Sequence, residues 1–322
     1  DTTAPSAVLS SVADDVGSIT GALSDGQSTD DTSVVISGTN EAGSTVAVYD
    51  GTTLLGAATV SGTSWTYAAA LIDGSTYALN AVETDFGGNP SSPTSDFTVI
   101  GDTTAPSAVL SSVADDVGSI TGALSDGQST DDTSVVISGT NEAGSTVAVY
   151  DGTTLLGAAT VSGTSWTYAA ALIDGTTYAL NAVETDSVGN PSSPTSDFTV
   201  ISDTTAPIIS DVSASWGSVL NSIEDNGDGI VTITTSGAED SQTVTLVLNS
   251  ATYTGSVSNN TTSITVPAAD LQALNESDTY TLSVDVSDAA GNAGTQHSST
   301  TFSVDTTAPS AVLSSVADDV GS

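Results

Sequence analysis

Apolar residues recur at every second position through short stretches of this chain, and clusters of Gly, Ser, Thr, Asn and Asp separate those stretches. In STVAVYDGTTLLGAATV, residues 44–60, Val46 and Val48 alternate with small or polar neighbours. Asp50-Gly51 supplies turn residues between two such runs, which predicts a hairpin. Runs of the same kind, SVVISG, SWTYAAA, TYALNAVETD and SDFTVI, follow the opening APSAVLSSV. Together they predict about seven short strands in about 100 residues, the pattern of an antiparallel β-sandwich. Helix is nearly absent; only PAADLQAL, residues 267–274, where proline precedes an amphipathic stretch, predicts a helical turn. Trp65 and Trp166 occupy the same strand position in successive stretches and read as core residues rather than a ligand platform.

The strand pattern repeats. Shifted by 101 residues, 1–101 aligns with 102–202 with four differences: Ser75/Thr176, Phe86/Ser187, Gly87/Val188 and Gly101/Ser202. Near-identical copies in tandem are an array of structural units. A third block, 203–304, keeps the DTTAP start and a D-x-x-G-N signal near its end, but its middle is rewritten. Residues 305–322 repeat 1–18 without change and are expected to form the first strand of a fourth, truncated block. The expected fold is all-β: tandem immunoglobulin-like antiparallel sandwiches, blocks 1–101, 102–202 and 203–304, in an extended rod growing by roughly 40 Å per block.

Composition changes the picture most through charge. The chain has 39 acidic residues, no Lys or Arg and one His, a formal charge of −39 over its 322 residues, so no internal salt bridge can relieve its self-repulsion. Nucleic acid and anionic membranes are disfavoured as partners, because both draw affinity from Lys and Arg. A divalent cation is the natural counter-charge. Disorder is disfavoured by the 38% of hydrophobic residues and their strand-like alternation. Without cysteine, no disulfide can staple the fold. No signal-peptide pattern, bilayer-length apolar run or polybasic anchor is present, which reads as an internal piece of a secreted or soluble protein with no membrane insertion of its own.

Topology then predicts where the acids gather. In an immunoglobulin-like sandwich the connection after the first strand lies at the pole where the chain leaves for the next block. Asp14, Asp15, Asp30 and Asp31 should meet the linker residue Asp102 there, facing Asp186 and Asn190 from the last long turn of the following block. At the second junction the set is Asp115, Asp116, Asp131, Asp132, Asp203, Asp288 and Asn292; at the third, Glu224, Asp225, Asp228 and Asp305. Asp1, Asp85 and Asn89 form the corresponding set at the entry pole of the first block. Such oxygen-rich gatherings suit Ca²⁺, which takes roughly 6–8 oxygen ligands, and the carboxylate number suggests about two or three ions per junction. The TTAP segment would stiffen each linker, since proline fixes its own φ and restricts its neighbour.

Acidic loops need no metal, because Asp and Asn bond nearby backbone N–H groups in turns. That reading is preferred for Asp25, Asp50 and Asp73, each before glycine; metal is preferred for the linker acids, which would otherwise repel one another. EDNGDG at 224–229 opens like an EF-hand loop, but the twelfth position is Thr235 and no flanking helices are expected. Catalysis is not expected. His297, the sole histidine, lies in a polar stretch and reads as solvated, and a carboxylate pair duplicated in two copies is ordinary for a spacer and unusual for an active site.

DTTAP, ADDVGSITGALSDGQSTDDT, ISGTNEAGSTVAVYDGTTLLGAATVSGTSWTYA and AVETDSVGNPSSP resemble the bacterial Ig-like repeats of giant Bap-like and RTX-type surface adhesins exported by type I secretion. The likeness covers the first two blocks end to end, and VSDAAGNAG carries it, in divergent form, into the third. The resemblance implies a non-catalytic extender at the bacterial cell surface. Ca²⁺ would stiffen its joints as it projects a distal binding region for adhesion or biofilm formation. No glycine-rich nonapeptide repeat or secretion signal of such proteins occurs in these residues. Two other readings stay open: a carbohydrate- or surface-binding module, which would show an exposed aromatic row, and a self-assembling filament or surface layer, in which the 305–322 strand pairs with another molecule's sheet edge.

Overall fold

The computed structural model describes residues 2–298 and 301–316. The chain separates into two compact units, Asp1–Ser112 with Val136–Ala169 and Ala179–Phe198, and Val113–Val135 with Ala170–Tyr178 and Thr199–Ser322.

The first unit contains a complete sandwich of ten strands: β1 (Val8–Asp14), β2 (Gly21–Ala22), β3 (Gln27–Thr29), β4 (Ser33–Thr39), β5 (Thr45–Asp50), β6 (Thr53–Ala57), β7 (Thr59–Ser61), β8 (Ser64–Ala70), β9 (Thr76–Thr84) and β10 (Phe97–Gly101). One sheet runs β2-β1-β4-β8-β7 and the other β3-β10-β9-β5-β6. There are ten strands rather than about seven, for two reasons. The LLGAATV run breaks at Ala58 into β6 and β7, which join different sheets. The connection after β1 also contributes an edge to each sheet: β2 pairs with β1, and β3 lies parallel to β10 with Thr29 opposite Gly101.

Alternation fills the core as expected. Val34, Ile36, Val46, Val48, Leu79, Ala81 and Val99 are buried from both sheets. Trp65 lies among them, its indole N–H donating to Thr39 O at 3.3 Å. Gly38 makes room for it: a Cβ there would stand 2.5 Å from the Trp65 ring and 1.9 Å from Val8 O.

The second block repeats both strand orders, with Trp166 buried at the position of Trp65. The third, in the second unit, divides into sheets of three, three and four strands around a core that includes Trp216, Leu246, Ile264 and Phe302. Trp216 packs edge-on against Phe302, with centroids 5.5 Å apart. The helical turn forms as α1 (Ala268–Gln272), directly after Pro267.

Two expectations change. His297 is half-buried in a two-residue strand and pairs with Val284, so it belongs to the third block's sheet rather than to a solvated stretch. Of the expected strand over 305–322, Asp305 closes the last strand of the third block, Phe302–Asp305, and 306–316 form no strand. A strand needs a hydrogen-bonded neighbouring strand, and no described strand pairs with 306–316. Residues 317–322 lie outside the described residues. Among the described residues no helix is long and apolar enough to cross a membrane.

Candidate functional site

Parallel pairing of β3 with β10 brings the first acidic connection onto the linker. Asp102 N–H donates to Thr29 O at 2.9 Å, so Asp30, Asp31 and Asp102 leave adjacent strand ends at one pole. Asp14 and Asp31 are buried there. Asp14 accepts the Thr29 hydroxyl and, through Oδ1, Val16 N–H at 2.9 Å; Asp31 Oδ1 accepts Ser33 N–H at 2.7 Å. Asp15 is exposed and contributes its backbone N–H, directed at Asp31 Oδ2.

Asp30 is different. Its Oδ1 is buried and has no hydrogen-bond partner. Burial first, then the charges of Asp14, Asp186 and Asp31, push its carboxyl above the usual carboxylate range against the lowering effect of a backbone hydrogen bond. Gly17, at φ +78°, permits this placement, since its Cβ would fall 2.1 Å from Asp30 Oδ2.

The second block meets this pole through 186–190, within the same compact unit. Asp186 Oδ1 accepts the N–H groups of Val188, Gly189 and Asn190 at 2.9, 2.7 and 2.9 Å, and Oδ2 accepts Asn190 Nδ2 at 2.8 Å. Burial alone would raise this carboxyl, but these bonds, led by Asn190, hold it below the usual range. Asn190 Nδ2 also donates to Asp102 O at 2.9 Å, joining the loop to the linker. The linker residue is thus used through its carbonyl, while its carboxylate Oδ1 turns to Thr104 N–H at 3.3 Å. Gly189, at φ +113°, faces Ser18 and Asp30 so closely that a Cβ would lie 2.8 Å from Ser18 Oγ.

The second joint repeats this in the second unit. Asp203 N–H donates to Thr130 O at 3.0 Å, Asn292 Nδ2 donates to Asp203 O at 2.7 Å, and Asp288 Oδ1 accepts Gly291 and Asn292 N–H groups at 2.9 and 2.8 Å. Asp115, Asp132 and Asp288 are buried. Asp131 Oδ1 is buried without a partner, and burial followed by Asp115, Asp288 and Asp132 raises its carboxyl. Asp203 is raised by burial and by Asp288, Glu239 and Asp174. Ser119 Oγ donates to Gly291 O at 3.0 Å, a direct contact between blocks. Asp116 is exposed, like Asp15.

The other two sets are looser. Asp85 accepts Asn89 N–H and Nδ2 at 2.7 and 2.8 Å, closing its own loop; Asp1 lies outside the described residues. At the exit of the third block the acids serve local bonds: Glu224 accepts Asn221 N–H at 3.1 Å and Asp228 accepts Ala268 N–H, the start of α1, at 3.0 Å. Asp225 donates only its backbone N–H, to Asn221 O, and Asp305 is exposed in the last strand.

The sequence pattern passed over a second device. Asp73 grips the linker: Oδ1 accepts Thr103 N–H at 2.7 Å and Oδ2 the Thr104 hydroxyl at 2.8 Å. Asp174 does the same to Thr204 and Thr205, and Glu276 to Thr306 and Thr307. These bonds hold all three acids below their usual range. The available signal was distance, for each acid stands 30 residues before the first threonine it holds, even in the rewritten third block.

Each joint therefore offers carboxylates, one of them with an unpartnered buried oxygen, beside amide and carbonyl oxygens, a donor set that a hard cation takes. Among the described residues no three His, Cys, Asp or Glu side chains alone converge as a metal-holding group. A cation at these joints would need Asp30 or Asp131 together with backbone, amide or water oxygens.

A profile of the bacterial Ig-like domain matches residues 6–103 and again 107–204, and one of the bacterial Ig-like domain, group 3, matches 162–305. No curated protein matches the chain. Among solved structures, part of a 1.5-MDa bacterial ice-binding adhesin concerned with host cell surface retention is 22% identical over 85% of this chain and 91% of its own, with a TM-score of 0.34. A Ca²⁺-stabilised adhesin with which an Antarctic bacterium binds ice is 23% identical over 96% and 76%, with a TM-score of 0.45. A tetra-tandem repeat from the extending region of a large adhesion protein is 22% identical over 86% and 73%, with a TM-score of 0.31.

Proposed function

From the premise that this chain belongs to the bacterial Ig-like domain family, we propose that it is a non-catalytic spacer of a bacterial surface adhesin whose joints are stiffened by Ca²⁺. The observation that carries the reading is the repeated joint. In both, the D-x-x-G-N loop of one block bonds the linker carbonyl of the block before it, Asn190 to Asp102 and Asn292 to Asp203. Beside each bond an acid from the preceding block, Asp30 or Asp131, keeps a buried oxygen unpartnered. Uncompensated carboxylates at such a point repel one another, and a bound cation converts that repulsion into cohesion between successive sandwiches.

The chain's own charge supports calcium as a folding partner. With −39 charges and no Lys or Arg, an external cation is its main source of compensation. A chain kept poor in calcium inside the cell and exposed to it outside would gain native-state stability on export, because a ligand bound by the folded state stabilises it by mass action. The proposed location is the bacterial cell surface, with neighbouring repeats of the same chain as the direct partners.

Small-angle scattering with calcium and then with chelator tests the reading. The expected result is a stiff particle that becomes flexible when the ion is removed, and identical profiles in the two conditions overturn it. A filament subunit would instead grow in mass with concentration when calcium is present.

A further inference from the structure

A second set of unpartnered oxygens lies inside the first two sandwiches, its carboxylates on residues two positions before Asp85 and Asp186. Glu83 is completely buried near the end of β9. Its Oε1 accepts Glu41 N–H at 2.6 Å, but Oε2 is buried and meets no donor. Asn40, 7% exposed, flanks the same residue: its Nδ2 donates to Glu41 O at 2.7 Å and to Ser44 Oγ at 3.0 Å, while its Oδ1 is also buried without a partner. The second copy reproduces every element, with Glu184, Asn141 and Glu142 in these roles and the same two oxygens unpartnered. Each oxygen is a desolvated acceptor with no donor, the two side chains being joined through Glu41, and such an oxygen is costly unless a cation or a proton on the carboxylate compensates it; the chain has no Lys or Arg to supply the charge.

The third block provides an internal control. Val286 pairs with Val244 as Glu83 pairs with Val46, and Ala238 precedes Val244 by the six residues that separate Asn40 from Val46. Val286 and Ala238 are both buried. The carboxylate and the amide are thus replaced together by apolar residues, as expected if both serve one shared ligand rather than two separate structural bonds. In the first block an open cavity of about 300 Å³, lined by Glu41, Ala42, Ser44, Asp85, Phe86 and Gly87, lies on the surface beside the residues flanking Asn40 and Glu83.

We propose that the first and second sandwiches each bind one hard cation, Ca²⁺ in an extracellular medium, through Glu83 Oε2 with Asn40 Oδ1 and through Glu184 Oε2 with Asn141 Oδ1. Water and carbonyl oxygens complete the coordination. The third sandwich binds none at this position.

Calcium stoichiometry of the full chain, measured by calorimetry and native mass spectrometry after metal depletion, tests this. Glu83→Gln and Glu184→Gln should each remove one ion and together two. The same two ions should remain in a chain with Asp30→Asn and Asp131→Asn, which keeps this proposal separate from that of the joints. Should the Gln variants lose cooperative folding by circular dichroism, the paired changes Asn40→Ala with Glu83→Val, which reproduce the third block, provide the comparison. An unchanged ion number in a folded Gln or Ala/Val variant, or a high-resolution map with only water or nothing between the two oxygens in calcium, overturns the proposal. If ions vanish only with the joint substitutions, this site fails and the joint reading stands. If they vanish only with the glutamate substitutions, the reverse holds.

Discussion

The loops 85–89 and 186–190 sit at the same place in two copies that differ at four positions in 101, and two of the four differences fall in them. In the second block Val188 is buried and Gly189 faces Ser18 and Asp30 of the first. In the first block the same places hold Gly87 and Gly88, a Cβ on Gly88 would meet nothing within 4 Å, and Phe86 is 96% exposed. Both loops are closed internally by their aspartate, so closure alone does not make a dock. The engaged loop adds a small apolar plug, Val188, and the third block supplies Ala290, fully buried, at the equivalent place. The two loops thus differ in two side chains on one framework, and 186–190 packs against the block before it.

Calcium should separate the engaged loop from the open one most strongly. Saturation at a hundredfold excess over Kd is worth about 2.7 kcal/mol per site. We expect the thermal midpoint in calcium to fall by several degrees in chelator, with amide exchange rising more at 14–31 and 186–190 than at 85–89. Asp186→Ala comes next: it removes charged hydrogen bonds of the class worth about 1.5–3 kcal/mol each. It should lower the urea midpoint of the second block and weaken calcium binding at the first joint, whereas Asp85→Ala should leave binding at that joint unchanged. Val188→Gly, which installs the first block's residue, removes a buried side chain worth about 1.5–3 kcal/mol when fully buried. Part of that loss should appear as faster exchange at the first joint alone, and Gly87→Val should give no compensating gain.

The smallest effect is a matter of pH. Asp73, Asp174 and Glu276 have lowered pKa values, so the stabilisation their clamps give is present above the ordinary carboxylate range, roughly pH 4, and is lost as pH falls through the lower folded values. Asp30 and Asp131 are raised, so in the absence of a cation their contribution is present below that range and is lost as pH rises through their folded values. In chelator, the Thr103 amide shift should therefore respond at lower pH than the Asp30 carboxyl resonance. Asp73→Asn should abolish the first response without moving the second.

Alternation and repetition were enough to read the sandwiches, the buried Trp65 and the gathering of acids at the block boundaries, because strand period and chain direction fix which end each connection occupies. The roles of individual acids were less legible. Asp186 and Asp102 were expected as metal carboxylates; the fold also gives them bonds that the sequence did not mark, Asp186 Oδ1 to its own loop and Asp102 O to Asn190 of the next block. Asp73 was assigned to its own turn, and its hold on the linker depends on a residue 30 positions away. Asn40 and Glu83 were passed over, since nothing local marks an acid as buried.

The amino-acid order by itself determined the strand periodicity, the block boundaries proposed from its repeats, and a charge that only an external cation can balance. These follow from side-chain chemistry and spacing along the chain. Only the folded arrangement decided which of many similar aspartates lose water and which stay wet, because desolvation depends on what packs over a carboxylate from distant strands. Asp30 and Asp15 are chemically identical, yet Gly17 and Gly189 close over the first while the second remains in solvent.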